Sequence, residues 1–301
     1  MTTQTTQAAR RKTPRNPAHF LLFALPGAAL YAVFVLWPLL LAFWSSLTNE
    51  DAYRATTSFV WFENYLKLFS DPAYLQTLGN TVILTIIAIV VPNALGLSIA
   101  ILLDRSGWVF NAMRAVFFVP VILSSVVVAV VWQLLLKDDG LINSVLRNFT
   151  DHPPGWLSDP NIALYSVGAI VAWQSVGVCV VLYLAGLQSI PKELLEAAAI
   201  DGAGPVRRFW AVTWPLLAPS VTIMTVLQMI AGFKIYDQVK VMTNGGPGVG
   251  TTSTLAFDVV ETGLSAGAVG YSAAKAAVMF LIIALISLLS MKIMRKREVD
   301  L

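Results

Sequence analysis

Apolar residues run along this chain in blocks too long to be solvated by water. Runs of roughly 20 mostly apolar residues cross a hydrocarbon core as helices, and such runs lie at about 20–44, 79–103, 115–136, 162–185, 212–233 and 272–293. Barrel strands would alternate over about ten residues, so these continuous runs predict an all-α polytopic membrane protein with six transmembrane helices. Composition agrees, with 57% hydrophobic residues, 12% charged and a mean hydropathy of +0.72, where a soluble domain carries about a quarter charged. The first run follows Arg10, Arg11, Lys12 and Arg15 much as a secretory signal would. A cleavable signal core spans only about 7–15 residues, so Phe20 to Trp44 reads as a retained span.

Cytoplasmic loops carry an excess of Lys and Arg. Here the basic residues concentrate on one side: the N-terminal tail, Arg105 and Arg114, Lys192, Arg207 and Arg208, and the C-terminal Lys292, Arg295, Lys296 and Arg297. The other side spreads Arg54, Lys67, Lys137, Arg147, Lys234, Lys240 and Lys275 over longer loops. Both termini are therefore expected in the cytoplasm, in a multi-pass cytoplasmic-membrane protein.

The connections carry little enzyme chemistry. WFENYLKLFSDP places Trp61, Phe62, Tyr65, Leu66, Leu68 and Phe69 at helical spacing before Asp71-Pro72, as in a helix lying in the membrane interface or packed on the spans. DHPPGWLSDP at 151–160 reads as a rigid turn-rich cap. TNGGPGVGTTSTLA has the glycine spacing of a phosphate-binding loop, but Thr251 and Thr252 follow Gly250 where that loop needs Lys and then Ser or Thr. A re-entrant or surface turn is expected there. Cys179 is the single cysteine, and His19 and His152 have no ligand cluster, so neither a disulfide nor a zinc site is supported. Lys234, Asp237 and Lys240, spaced by three, are expected to pair along one helix face, and Lys275 to snorkel to the headgroups. Pro26, Pro38, Pro92 and Pro120 are candidates for kinks.

Between the fourth and fifth runs the chain reads ELLEAAAIDGAG, residues 193–204. Pro191 suits a helix start, Glu193 and Glu196 suit the positive N-terminal end, and Gly202 suits the stop. The spacing predicts a helix of about 11 residues, roughly 16 Å long. Ala197, Ala198 and Ala199 give it a side with almost no protruding groups, so another protein can approach the backbone. Held at both ends by membrane spans, such a helix acts as a lever.

EAAAIDGAGPVRRFWAVTWP resembles the Glu-Ala-Ala motif of binding-protein-dependent ABC importer permeases: Glu-Ala-Ala, three residues, Gly, nine residues, Ile-x-Leu-Pro. Glu196, Ala197, Ala198, Gly202 and Pro215 match at that spacing, with Val212 and Trp214 as apolar replacements for Ile and Leu. FENYLKLFSDPAYLQTLGNT and TNGGPGVGTTSTLA are similar to flanks found in maltose-type carbohydrate permeases and their glycerol-3-phosphate kin. The resemblance implies a type I ABC importer fold: a tail at 1–18, a first helix and external loop at 19–74, a core at 75–293 with the coupling loop at 191–215, and a tail at 294–301. It implies that Glu196, Ala197, Ala198, Ala199, Asp201 and Gly202 dock on a cytoplasmic ATPase. The implied partners are a second homologous permease, an ATPase dimer that uses ATP and Mg, and an extracytoplasmic binding protein that delivers a sugar. Membrane lipid surrounds the bundle, no nucleic acid is expected, and this chain is expected to be no enzyme and to bind no cofactor or metal itself.

A polar pathway through lipid needs groups too costly to face hydrocarbon. Asn93, Gln133, Trp173, Gln174, Ser175 and Gln228 fit on that ground, and the resemblance favours Gln174, Ser175, Gln228, Gly232 and Tyr236. For each polar residue, an interhelical hydrogen bond is the competing role. Spans nearly free of Lys and Arg favour a neutral sugar over glycerol phosphate or another small anionic solute. An intramembrane enzyme would need paired acids or a metal site within the spans, and a secondary carrier would need inverted repeats and a buried carboxylate; neither pattern is found.

Overall fold

A computed structural model describes residues 17–296. The basic N-terminal tail through Asn16 and the segment after Lys296 lie outside the described residues, so the tails expected at 1–18 and 294–301 fall largely beyond the description. The first run forms α1 (Pro17–Tyr31), a π-helical turn at Ala32–Leu36 and α2 (Trp37–Ser45). Its spanning stretch buries nothing, because lipid solvates Phe34 and Leu40 as well as a protein core would. Among the described residues, its C-terminal end is the fastened one. Phe43 meets Phe280 edge-on at 6.1 Å, and Asn64 donates to the carbonyls of Ser46 and Thr48 at 2.9 and 2.8 Å.

Asn64 belongs to α3 (Glu63–Ser70), the helix expected in the first external loop. Leu68 is fully buried, while Trp61, Phe62, Leu66 and Phe69 are exposed, which gives α3 the two-sided character its spacing predicts. Asp71 then caps α4 (Pro72–Leu103) by accepting from the Ala73 N–H at 2.9 Å, with Pro72 in the first turn. At 32 residues this helix is about 48 Å long, well beyond the apolar run starting at residue 79. Its polar first turns are helical because Tyr74, Thr77, Asn80 and Thr81 face protein.

The third apolar run is not one straight span. It divides into α5 (Trp108–Ile122) and α6 (Ser125–Leu136), followed by the short α7 (Leu141–Leu146), with a bend of 95° between the two parts. Leu123 and Ser124 adopt extended backbone at the break, just after Pro120, which cannot donate to the helix ladder. Hydropathy does not register such a break. α5 packs on α8 (Ala163–Gln188), the buried centre of the bundle, which also packs along α4. Small residues permit this closeness: a Cβ on Gly177 would strike the Phe117 carbonyl oxygen.

After α8 come α9 (Lys192–Ile200), α10 (Pro205–Arg208), a π-helical turn at Phe209–Thr213 and α11 (Trp214–Leu216). The chain then turns by 63° into α12 (Ala218–Phe233), so the fifth run is broken near Leu217. α13 (Asp237–Met242), the glycine loop, α14 (Leu255–Val260) and a π-helical turn at Glu261–Ser265 lead to α15 (Val269–Arg295). Four spans are unbroken and two are bent, six in all when each bent pair counts as one.

The glycine loop is a folded-back plug. Asn80 donates to the carbonyls of Gly250 and Ser253 at 2.9 and 3.1 Å, Thr254 donates to Ile235 at 2.6 Å, and Thr81 accepts from the Leu255 N–H at 2.9 Å. Thr252 and Thr254 are wholly buried. Two charge expectations need correction. Lys240 pairs with Glu261 at 2.6 Å and not with Asp237, because the chain folds back and brings the π-helical turn beside α13. Lys275 does not snorkel: it is 5% exposed and pairs with Asp258 at 2.8 Å while donating to Thr262 at 2.9 Å.

Candidate functional site

Two features stand out, a cavity between helices and a bare helix at one end of them. α8 and α12 diverge around a cavity of about 320 Å³. Gln174 and Ser175 line it from α8, Gln228 and Gly232 from α12, and Tyr236 from the link to α13. The neighbouring Lys234, Asp237 and Gln238, and Ser125 at the start of α6, complete the polar lining. Sequence reasoning placed none of these four in the pathway; for Lys234, Asp237 and Gln238 the signal was the polar segment KIYDQ directly after the apolar run.

The cavity is strapped by amides. Gln174 donates to the Leu123 carbonyl at 3.1 Å, at the break between α5 and α6, and accepts from Gln238 at 3.3 Å. One side chain thus ties three elements together around the opening. Gln228 is 5% exposed and its amide reaches only the Cys179 sulfur, at 3.5 Å. A thiol sulfur is a weak acceptor for an amide N–H, so Gln228 retains hydrogen-bonding capacity toward the cavity. Gly232 is needed for packing too, since a Cβ there would lie 2.9 Å from the Thr85 Cα.

Three of the residues singled out in the sequence are elsewhere. Asn93 donates to Ile89 at 2.7 Å within α4 and accepts from the Tyr183 hydroxyl, which fastens α4 to α8. Gln133 donates to the Val241 carbonyl at 2.6 Å and joins α6 to α13. Trp173 meets Trp132 edge-on at 5.4 Å and lines a separate, almost wholly apolar cavity of about 330 Å³ with Trp156 and Tyr165. Interhelical hydrogen bonding therefore accounts for both amides.

Near the cavity, the ammonium of Lys240 also lies 5.6 Å from the Phe257 ring centre. The hydrogen bond from Lys240 holds the Glu261 carboxyl below its ordinary pKa, and the same bond raises that of Lys240.

At the opposite end, α9 begins after Pro191, which is its N-cap and not its first residue. It ends in a Schellman closure: Gly202 N–H bonds Ala199 and Ala203 N–H bonds Ala198, at 3.1 and 3.0 Å. Gly202 has φ of 76°, which its lack of a Cβ permits. No residue of α9 is buried, and Ile200 is 86% exposed. Glu196, Ala197, Ala199 and Asp201 are exposed and Ala198 half-buried. Behind it Phe209, Trp210 and Trp214 pack ring against ring, with centres 5.2 to 6.2 Å apart, stiffening the return into α12. This helix with an uncovered small-residue surface follows α8 directly and leads through α10 and α11 into α12, the two helices that line the cavity.

Residues 93–298 match the model of the family described as binding-protein-dependent transport system inner membrane component. The chain belongs to this family. It is 34% identical to the multiple sugar-binding transport system permease protein MsmF of Streptococcus mutans over 92% of this chain and 95% of that protein. It is 30% identical to the probable starch degradation products transport system permease protein AmyD of Thermoanaerobacterium thermosulfurigenes, over 98% and 100% respectively. A chain of a bacterial ABC transporter that imports alginate superposes with a TM-score of 0.79 at 18% identity, covering 93% of this chain and 96% of that one, which fixes the fold. The chain is thus a permease subunit of an ABC importer, a helical component of the inner membrane, and binding-protein-dependent transport is its class of function.

Proposed function

We propose that this permease imports a sugar or oligosaccharide, handed over by an extracytoplasmic binding protein, through the cavity between α8 and α12. The observation that carries the reading is the continuity between that cavity and α9: the helices enclosing the one are the helices flanking the other. Under this reading a dimeric ATPase in the cytoplasm binds α9 through Glu196, Ala197, Ala198, Ala199, Asp201 and Gly202. ATP and Mg are used there and not by this chain. Closure of the ATPases tilts α8 and α12 and turns the cavity outward, together with a second permease of the same fold.

Amides and hydroxyls suit the work. A polyhydroxylated solute leaving water needs its hydrogen bonds replaced, and a buried polar group left unpaired costs about 1–3 kcal/mol. Gln174, Ser175, Gln228 and Tyr236 supply such partners. The placement of Lys234 in the cavity lining supports a second reading, an acidic solute such as glycerol phosphate. UgpA of Agrobacterium fabrum, an sn-glycerol-3-phosphate permease protein, is 32% identical over 94% of this chain. Asp237 shares the lining and offsets that cation, which favours the neutral sugar.

The deciding experiment reconstitutes the assembled importer with its binding protein. Glu196→Lys should abolish sugar-stimulated ATP hydrolysis while the protein still inserts; unchanged turnover would refute the docking role. Calorimetry on the binding protein identifies the solute, and an anionic ligand there would replace the neutral-sugar reading.

A further inference from the structure

We propose that a groove on the outer surface of α12 and α15 binds one anionic phospholipid of the inner leaflet, its phosphate on Arg295 and an acyl chain along the cleft. The groove consists of two adjoining clefts of about 270 and 220 Å³ that share Thr222. Ile223, Val226 and Leu227 form its apolar wall, Trp214 and Met294 its lower rim, and Arg295 its cationic mouth. From Pro219 to Leu227 the wall rises about 12 Å, close to the depth of one leaflet's hydrocarbon, about 15 Å.

Charge complementarity selects the occupant. Lys292 lies one turn before Arg295 and Lys296 directly after it, and α15 contains no Asp or Glu from Val269 to Arg295. Among the described residues these cations form no ion pair, and they stand at the end of a helix whose neighbouring residues face outward: Ile293 is 59% exposed, and Ile223 and Leu227 of α12 are 52% exposed. Trp214, edge-on to Trp210 with ring centres 5.6 Å apart, marks the level where aromatic rings meet headgroups. Basic pockets between spans on the cytoplasmic side bind anionic headgroups. A lipid without net charge would bring no excess negative charge to this cationic end, and a second protein copy would need no acyl-length slot. The inference rests on the cytoplasmic placement of this end and is independent of the solute carried.

The test uses the full chain in mild detergent, with the first bound lipid measured by native mass spectrometry against dioleoyl phosphatidylglycerol and dioleoyl phosphatidylcholine. Phosphatidylglycerol should bind more tightly. Arg295→Ala should weaken it about fivefold, the loss of one cation worth about 1 kcal/mol near an anionic headgroup, and should leave phosphatidylcholine unchanged; Arg295→Lys should restore most of the preference. Ile223→Trp, which fills the slot, should weaken both lipids, whereas Lys192→Ala on α9 should change neither. Equal binding of the two lipids, or no effect of Arg295→Ala, would overturn the site. Loss of the second permease from the Ile223→Trp complex with lipid binding intact would make the groove a protein interface. A Lys296→Cys probe in a Cys179→Ser background should react with a membrane-impermeant maleimide only in inside-out vesicles, and reaction from outside would overturn the inner-leaflet assignment.

Discussion

Lys275 of α15 and Asp258 of α14 form a nearly buried ion pair, nitrogen to oxygen 2.8 Å, with the lysine side chain 7% exposed. The pair fastens the segment that follows the glycine loop to the last span, and Thr262 accepts a further bond from the same ammonium at 2.9 Å. Burial makes its loss asymmetric. Lys275→Met leaves an uncompensated carboxylate and should cost about 3 kcal/mol, whereas the double variant with Asp258→Leu should recover much of it. Thermal unfolding of the purified chain checks both; equal destabilisation by single and double variants would show that the charge balance is irrelevant.

Gly202 has open space around its missing Cβ, yet its φ is 76°. Substitution is therefore disfavoured by backbone conformation alone. Gly202→Val should cost about 1–2 kcal/mol locally, fray the Schellman closure of α9 and reduce coupling between transport and ATP hydrolysis. The expected signature is continued ATP hydrolysis with lowered uptake per ATP. Gly204, with φ of –64° and nothing within 4 Å of a built Cβ, serves as the tolerant control.

The Lys240–Glu261 pair sets a pH window. Its hydrogen bond depresses the Glu261 pKa, so its stabilisation is present above the ordinary glutamate value, about 4.3, and is lost as pH falls through the lower folded value. The same bond raises Lys240, whose share is present below about 10.4 and is lost as pH rises through the higher folded value. Stability from this pair should stay flat across neutral pH and fall at both extremes. Glu261→Gln should flatten both limbs of the difference profile measured by thermal unfolding. Both side chains are partly exposed, so the amplitude should be small and should shrink with salt.

What the sequence made legible was set by local physics. Six apolar runs follow from the thickness of a bilayer, and the end of α9 follows from Gly202, whose backbone needs are local. Hydropathy did not register the breaks at Leu123 and near Leu217, because each run stays mostly apolar whether the helix bends or not, although Pro120 marked the first as a kink candidate. The partners of Lys240 and Lys275 lie 21 and 17 residues away in sequence. Pairing at that range is decided by the fold-back of the plug and not by helical spacing. Polar residues in spans were also ambiguous: Asn93 and Gln133 bond other elements away from the cavity, while Gln174 and Gln228 line it, Gln174 also bonding Leu123 and Gln238, and only packing separates the two cases.

Gln238 should matter to uptake through Gln174, because the two amides form one strap. Gln238 is 8% exposed and donates to Gln174 at 3.3 Å, while Gln174 holds the Leu123 carbonyl at the break of the third span. Gln174→Ala removes the centre of the strap and should impair uptake most. Gln238→Ala leaves Gln174 able to hold Leu123 but frees α13, so uptake should fall less. Neutral amide hydrogen bonds are worth about 0.5–1.5 kcal/mol net, which sets the expected loss at about two- to tenfold for Gln238→Ala. If the strap acts as a unit, the double variant should resemble Gln174→Ala alone, as coupled neighbours do. Strictly additive losses in uptake by the assembled importer would mean that the two amides contact the solute separately.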